Sequence, residues 1–133
     1  MEITPLMKKF RIQAGQRVLV MNAPDAWLNK LGEFPEGDEL STTPDGIYDF
    51  VLYFISSKAE FEAAIKDAIS AVRYDGLLWI AYPMQSSGIK TDVNRDILWQ
   101  LSLQTGLRPV TQIAIDETWS ALRFRPAERV GSA

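Results

Sequence analysis

Three segments of the chain are almost continuously apolar and rich in β-branched and aromatic residues. They are Arg17–Met21, Tyr48–Ile55 and Leu77–Tyr82. Apolar runs of this length are typical of strands that are covered on both faces, as in parallel sheets. The pattern therefore predicts that these three segments form the centre of a sheet in an α/β domain.

Two helices are predicted from apolar residues that recur at helical spacing. The first lies between the second and third strands, where Ser57 and Glu60 have the form of a capping box. The second covers residues 92–105, with Thr91 as its N-cap and Gly106 at its end. A strand, the first helix and the next strand together make one crossover unit of a parallel sheet.

The remaining segments predict a short helix, an edge strand and a hairpin. Asp25–Leu31 reads as a helix, and Asp38–Ser41 reads as a short strand at the edge of the sheet. Leu107–Ile115 and Trp119–Arg125 resemble two strands joined by a tight turn, which is typical of an antiparallel hairpin. The sheet should therefore be parallel at its centre and antiparallel at its C-terminal end.

The length of the chain fits one domain. It has 133 residues and a mass of 15.0 kDa, close to the commonest domain size. No internal repeat or low-complexity stretch divides it. We predict that residues 1–125 form a single α/β domain and that residues 126–133 form a flexible C-terminal tail.

Charge and composition exclude several classes of function. The net charge is −3 and the Lys and Arg residues are scattered, so we expect no nucleic-acid partner. No apolar run approaches the roughly 20 residues that a membrane helix needs, and residues 1–20 lack a secretory pattern. We therefore expect a cytoplasmic protein.

The chain has no Cys and no His, which excludes a thiol nucleophile, an imidazole base and a zinc site built on N or S ligands. We predict no metal site.

Several short motifs resemble known proteins. Val72–Pro83, with its Asp-Gly turn, is similar to the helix-turn-strand that leads into the fifth strand of class I methyltransferases. Other motifs resemble an uncharacterised bacterial family of the domain-of-unknown-function 3052 type: Lys8-Lys9, Gly15–Val20, Asn22–Pro24, Ser86–Gly88 with Thr91-Asp92, and Asp116–Ser120. The resemblance implies a three-layer Rossmann-like α/β fold, methyltransferase-like, with a mostly parallel mixed sheet. That family often has a lysine where this chain has Met84.

The cofactor signature of the methyltransferases is missing. In that fold a glycine-rich turn follows the first strand and an acidic residue follows the second. Here the first strand is followed by Asn22-Ala23-Pro24, and Ser41 begins a loop with no carboxylate before Asp45. The loop is also too short for the crossover helix and third strand, so we expect a sheet truncated on that side. The sequence predicts no cofactor and makes S-adenosylmethionine an improbable one.

Ligands of open α/β sheets bind beyond the carboxyl ends of the strands, and the residues placed there are the candidate site. All of them are polar except Pro24 and Trp119. The candidate residues are Asn22, Pro24, Ser56, Ser86, Ser87, Asp116, Glu117 and Trp119. Each also has a structural explanation. Asn22 and Pro24 can form a turn, and the two loop serines lie in an ordinary polar loop. Turn formation is favoured for Asp116.

Three functional hypotheses follow. The favoured one is a non-catalytic domain that holds a small polar ligand or a protein partner on a methyltransferase-like scaffold. The alternative is an enzyme of unknown reaction that uses the strand-end serines and carboxylates, or else an atypical methyltransferase. The third is a structural subunit. Trp99 lies off the apolar stripe of its helix, so we expect it to be exposed in a single chain and to mark a homodimer contact.

Overall fold

The computed structural model describes residues 4–25, 27–32 and 34–130. In chain order the strands are β1 (Arg17–Met21), β2 (Glu39–Ser41), β3 (Tyr48–Phe54), β4 (Val72–Pro83), β5 (Leu107–Ala114) and β6 (Trp119–Pro126). The helices are α1 (Pro5–Phe10), α2 (Leu28–Leu31), α3 (Lys58–Ala71) and α4 (Arg95–Ser102), with 3-10 turns at Gln85–Ser87 and Ala127–Arg129. None of the helices described is long and apolar enough to cross a membrane.

The strands form one sheet in the order β2-β1-β3-β4-β6-β5. The first four are parallel to one another, whereas β6 is antiparallel to both β4 and β5. Apolar residues of α1 and α2 pack on one face of this sheet, and those of α3 and α4 pack on the other. The predicted three-layer fold, with a mixed sheet and a C-terminal hairpin, is confirmed.

The predicted truncation lies between β2 and β3. These strands flank β1 on its two sides, and only residues 42–47 connect them. So short a crossover suffices because β2 has three residues, which span only about 10 Å. Arg17 holds the connection in place by two hydrogen bonds of 2.7 Å, which its guanidinium donates to the carbonyl oxygens of Asp45 and Ile47. The same guanidinium lies 4.4 Å from the centre of the Tyr48 ring.

The structure confirms the start of α3 and corrects the start of α4. Ser57 is the N-cap of α3 and accepts a hydrogen bond from the backbone N–H of Glu60. The N-cap of α4 is Asn94 instead of Thr91, since the Asn94 side chain accepts from the N–H of Ile97 at 2.9 Å. The helix is therefore shorter than predicted, because the residues before it form a loop held by their own side chains.

Helix α1 was not predicted from the apolar pattern. Its signal is local: Thr4 accepts from the N–H of Met7 as an N-cap, and Pro5 occupies the first helical position. The helix ends at Phe10, whose ring lies edge-to-face on Phe50 and Trp79. The indole N–H of Trp79 donates to the carbonyl oxygen of Phe10, which satisfies both groups in the core.

Strand β4 begins earlier than predicted and contains a sharp turn. Its pairing with β3 shifts register between Val72 and Leu77, and Asp75 has a left-handed φ of 56°. The Asp75 carboxylate accepts two hydrogen bonds of 2.8 Å from Arg125 and a longer one from Arg129. These contacts join the turn to the end of β6 and to the first residues of the predicted tail.

Asp75 should make stability depend on pH in the acid range. Hydrogen bonds from Arg125, with smaller contributions from Arg129, lower the pKa of Asp75 to about 2. A carboxyl with a lowered folded-state pKa stabilises the fold above about pH 4, and this contribution is lost as pH falls towards 2. Asp75→Asn keeps a residue that tolerates positive φ, and should cost about 1 kcal/mol at pH 7 and clearly less at pH 2, where Asp75 is half protonated in the folded state. Urea unfolding at both pH values measures the difference, and an equal loss at both would contradict the charge argument.

Candidate functional site

The direction of chain connections changes between β1 and β3. From β1 the chain passes through α2 to β2 on one side, whereas β3 lies on the other side of β1 and leads into α3. Because α2 and α3 pack on opposite faces of the sheet, the two segments diverge at the carboxyl ends of β1 and β3. Such switch points are where open α/β sheets bind ligands. We call this place the strand-end crevice: residues 21–24 and Ser56 lie at or just after the ends of β1 and β3 there, and Ser41 ends the shorter β2, paired with Leu19 in the middle of β1.

Asn22 shapes the turn at the carboxyl end of β1. It directly follows β1, is exposed, and has a φ of 62°. This left-handed conformation is the one that glycine adopts most readily, and Asn is among the few other residues that tolerate it. Two residues later, the carbonyl oxygen of Pro24 accepts from the N–H of Trp27 at 3.0 Å. The chain therefore makes a tight turn after β1 without a glycine.

The N-terminus of α3 lies beyond the carboxyl end of β3. The backbone N–H of Ser56 donates to the Glu60 carboxylate, and so does the Ser56 hydroxyl, at 3.3 and 2.9 Å. Its carbonyl oxygen accepts a 2.6 Å hydrogen bond from Thr91, and Asp92 accepts from the N–H of Lys58 at 2.8 Å. Ser56 is thus held from both sides by α3 and by the loop before α4.

The two loop serines lie beyond the end of β4. Ser86 lines a cleft next to the start of α4. The Ser87 hydroxyl accepts from the N–H of Ile89 at 3.2 Å and so supports its own loop. Both residues belong to the 3-10 turn that follows β4.

Asp116, Glu117 and Trp119 form the turn between β5 and β6. One Asp116 oxygen accepts from the N–H groups of Thr118 and Trp119, each at 2.8 Å, and the other accepts from the Lys30 ammonium at 2.9 Å. Burial alone would raise the pKa of Asp116, but these hydrogen bonds outweigh it and lower the pKa. Glu117 is exposed.

Trp119 packs into the layer formed by α1 and α2. Its ring lies edge-to-face on Phe54 with centroids 5.1 Å apart, and Phe54 makes the same kind of contact with Trp27 at 4.7 Å. Asp116, through Lys30 of α2, belongs to this layer as well. Ser86, in contrast, lies beside α4. The predicted residues thus share one edge of the sheet, but the serine and the carboxylate face opposite layers.

Several solved structures have a similar fold. N-methyltransferase NodS from Bradyrhizobium japonicum, in complex with S-adenosylhomocysteine, matches with a TM-score of 0.58 and 13% identity over 92% of this chain and 85% of that one. The fold is that of class I methyltransferases. An S-adenosylmethionine-dependent methyltransferase from Aquifex aeolicus matches with a TM-score of 0.55 and 12% identity, over 90% and 86% of the two chains.

A third similar structure is 1,6-didemethyltoxoflavin-N1-methyltransferase from Burkholderia thailandensis with S-adenosylhomocysteine bound. Its TM-score is 0.54 at 12% identity, over 91% of this chain and 74% of that one. No protein-family model matches the sequence, and no curated protein gives a significant match. The resemblance to the domain-of-unknown-function 3052 type therefore stays a prediction, while the methyltransferase-like fold is confirmed.

These structures contradict the prediction that S-adenosylmethionine is an improbable cofactor, since two of the three hold S-adenosylhomocysteine. The prediction relied on the missing glycine, on the missing acidic residue after the second strand and on the truncated sheet, and the backbone answers the first of these grounds. Asn22 takes up the positive φ that the missing glycine would supply. The tight turn after β1 is therefore present although its usual sequence signal is not.

Sequence reasoning missed two contributions to this edge. Lys30 neutralises Asp116 from a position 86 residues away, and no local pattern could have revealed that pair. Thr91 was assigned to a helix cap, whereas its hydroxyl donates to the Ser56 carbonyl oxygen and accepts from the N–H of Val93. A polar residue two positions before a buried valine is consistent with such a turn as well as with a cap.

Proposed function

We propose that this protein binds S-adenosylmethionine in the strand-end crevice and acts as an atypical methyltransferase. The observation that carries the proposal is the left-handed turn at Asn22, located at the point where the connections of a methyltransferase-like sheet diverge. Two similar structures that hold S-adenosylhomocysteine support it. The coenzyme would supply a methyl group on a sulfonium, and the chain would bind and orient the two reactants.

The residues present fit such a ligand in part. The turn at Asn22 allows close approach of the backbone, and Ser41, half-buried at the end of β2, offers a hydroxyl where an acidic residue is usual. A neutral hydroxyl makes weaker hydrogen bonds to ribose hydroxyls than a carboxylate does. We therefore expect binding that is weaker than in a protein with the full signature.

The lack of His and Cys does not oppose methyl transfer. The reaction is accelerated chiefly by holding the nucleophile in line with the methyl group, and positioning can supply a large part of a rate enhancement. In the described part of the crevice, the first-turn N–H groups of α3 at Lys58 and Glu60 already have acceptors in Asp92 and Ser57. Orientation of the ligand therefore falls to the turn at Asn22 and to Ser41.

Binding without transfer is the second candidate function. The crevice offers amide, hydroxyl and backbone groups, which can bind a ligand by hydrogen bonds. The residues that directly follow β1, β2 and β3 include no strong base that could activate a nucleophile, and this favours binding alone. Release of S-adenosylhomocysteine from S-adenosylmethionine in the presence of a nucleophilic acceptor distinguishes transfer from binding alone.

Ser41→Asp should tighten binding of S-adenosylhomocysteine about tenfold, because hydrogen bonds to a charged group contribute roughly 1–1.5 kcal/mol more than neutral ones. Thr42→Asp is the matched control: it adds the same charge one residue later, where the side chain projects differently. Calorimetric titration of both variants and the unmodified protein measures the effect. Equal affinities for the two variants would place the ribose elsewhere, and an absence of heat in all three would reject the proposed cofactor.

A further inference from the structure

A groove runs between α4 and the β5–β6 hairpin, apart from the strand-end crevice. Its inner half, of about 420 Å³, reaches Tyr82 and Ser120 near the end of β4. Its outer half, of about 470 Å³, reaches Trp99 and Val110 at the edge of the sheet. Both volumes lie in the range of small-molecule sites. The two halves are adjacent, since they share the lining residues Arg95, Asp96 and Gln112.

The inner half of this α4 groove contains buried hydrogen-bonding groups. Tyr82 and Ser120 are 3% and 4% exposed, yet both line the groove. The side-chain amide of Gln112 donates to the Tyr82 hydroxyl oxygen at 3.0 Å. Ser120 also lies within hydrogen-bonding reach of the Tyr82 hydroxyl, and the amide oxygen of Gln112 is left to accept from a ligand. Burial raises the pKa of Tyr82, so the hydroxyl remains a donor at neutral pH.

The outer half has one exposed aromatic ring among mostly polar lining residues. Trp99 is 44% exposed and Val110 is 37% exposed, and both line the outer half together with the buried Leu122. A partly exposed indole beside aliphatic side chains provides a flat surface for another planar ring. The outer half therefore favours planar ligands over bulky aliphatic ones.

The charges of the groove nearly cancel. Arg95 and Asp96 line both halves, and their guanidinium nitrogen and carboxylate oxygen are 3.8 Å apart. Opposite charges this close produce little net potential in the groove. An anionic or cationic ligand would meet one favourable and one unfavourable charge, so the groove favours an uncharged molecule.

We propose that the α4 groove binds an uncharged planar heteroaromatic molecule. Its hydrogen-bonding edge meets Gln112 and Tyr82, and its ring stacks on Trp99. The site lies outside the strand-end crevice and does not require the cofactor, so it goes beyond the proposed function and can be tested without it.

The test is an NMR titration of the isotope-labelled full chain with three uncharged bicyclic probes: hypoxanthine, 2-quinolone and indole-3-carboxamide. For at least one probe, the indole N–H signal of Trp99 and the side-chain amide of Gln112 should shift together and saturate with a Kd below about 1 mM. Gln112→Leu and Trp99→Ala should each weaken that binding at least fivefold. Gln100→Leu, on the same helix but outside the lining of the α4 groove, is the matched control and should leave the affinity unchanged.

Three results would overturn the proposal. The first is the absence of saturable shifts at Trp99 and Gln112 with all three probes. The second is unchanged affinity in both groove variants when their spectra show a folded chain. The third is a shift of the Trp99 signal with protein concentration alone, which would mean that a second copy of the chain covers the groove.

Discussion

Replacing Phe54 by Ala should destabilise the protein by about 3–5 kcal/mol, the usual range for a buried Phe truncated in a core. Phe54 is 2% exposed and lies at the end of β3. Its ring joins Trp27 beyond the β1 turn to Trp119 on β6, with centroid distances of 4.7 and 5.1 Å. Loss of the ring leaves both indoles without their central partner.

The measurement is thermal and urea unfolding of the variant. We expect the Tm to fall by roughly 10 °C or more for a domain of this size. Phe54→Leu is the control, since it also removes the ring but keeps most of the buried volume, and it should cost less than Phe54→Ala. If Phe54→Ala lost no more stability than Phe54→Leu, the volume buried at position 54 would not support the packing of the two indoles.

Asn22→Val should abolish most of the affinity for S-adenosylhomocysteine. A residue other than Gly, Asn or Asp pays about 1–2 kcal/mol for a left-handed conformation, and a β-branched side chain fits it worst. With φ at 62°, residue 22 of the variant must either bear this strain or reshape the turn. We expect at least a tenfold loss of affinity, together with about 1–2 kcal/mol of stability.

Asn22→Gly is the control for the backbone argument. Glycine adopts positive φ without strain, so this variant should bind S-adenosylhomocysteine within about threefold of the unmodified protein. Calorimetry on both variants gives the comparison. Equal weakening in Asn22→Gly and Asn22→Val would assign the effect to the lost amide side chain, and no weakening in either would separate the turn from the cofactor.

Much of the fold could be predicted from the sequence because its central elements have strong local signals. The apolar runs gave β1 and β3 almost to the residue, and Ser57 with Glu60 located the start of α3. Element ends were less predictable where long-range contacts decide them. Helix α4 begins at Arg95 because the preceding segment is tied to α3 through Thr91 and Asp92.

The candidate site was less predictable, because it depends on backbone conformation and on which layer each side chain faces. Nothing local in the sequence requires Asn22 to adopt positive φ, although Asn permits it. The common edge of the strand-end residues followed from topology, whereas the opposite orientation of Ser86 and Asp116 followed from contacts to α4 and to Lys30. The groove beside α4 combines residues of three strands, of α4 and of the 3-10 turn after β4, and has no sequence signature.

Binding of S-adenosylhomocysteine in the strand-end crevice can be measured by an NMR titration of the isotope-labelled full chain. We expect saturable shifts concentrated at residues 21–25, 41–43 and 55–58, with little change at Trp99. Saturation without shifts in these segments, or no shifts up to millimolar S-adenosylhomocysteine, would contradict it.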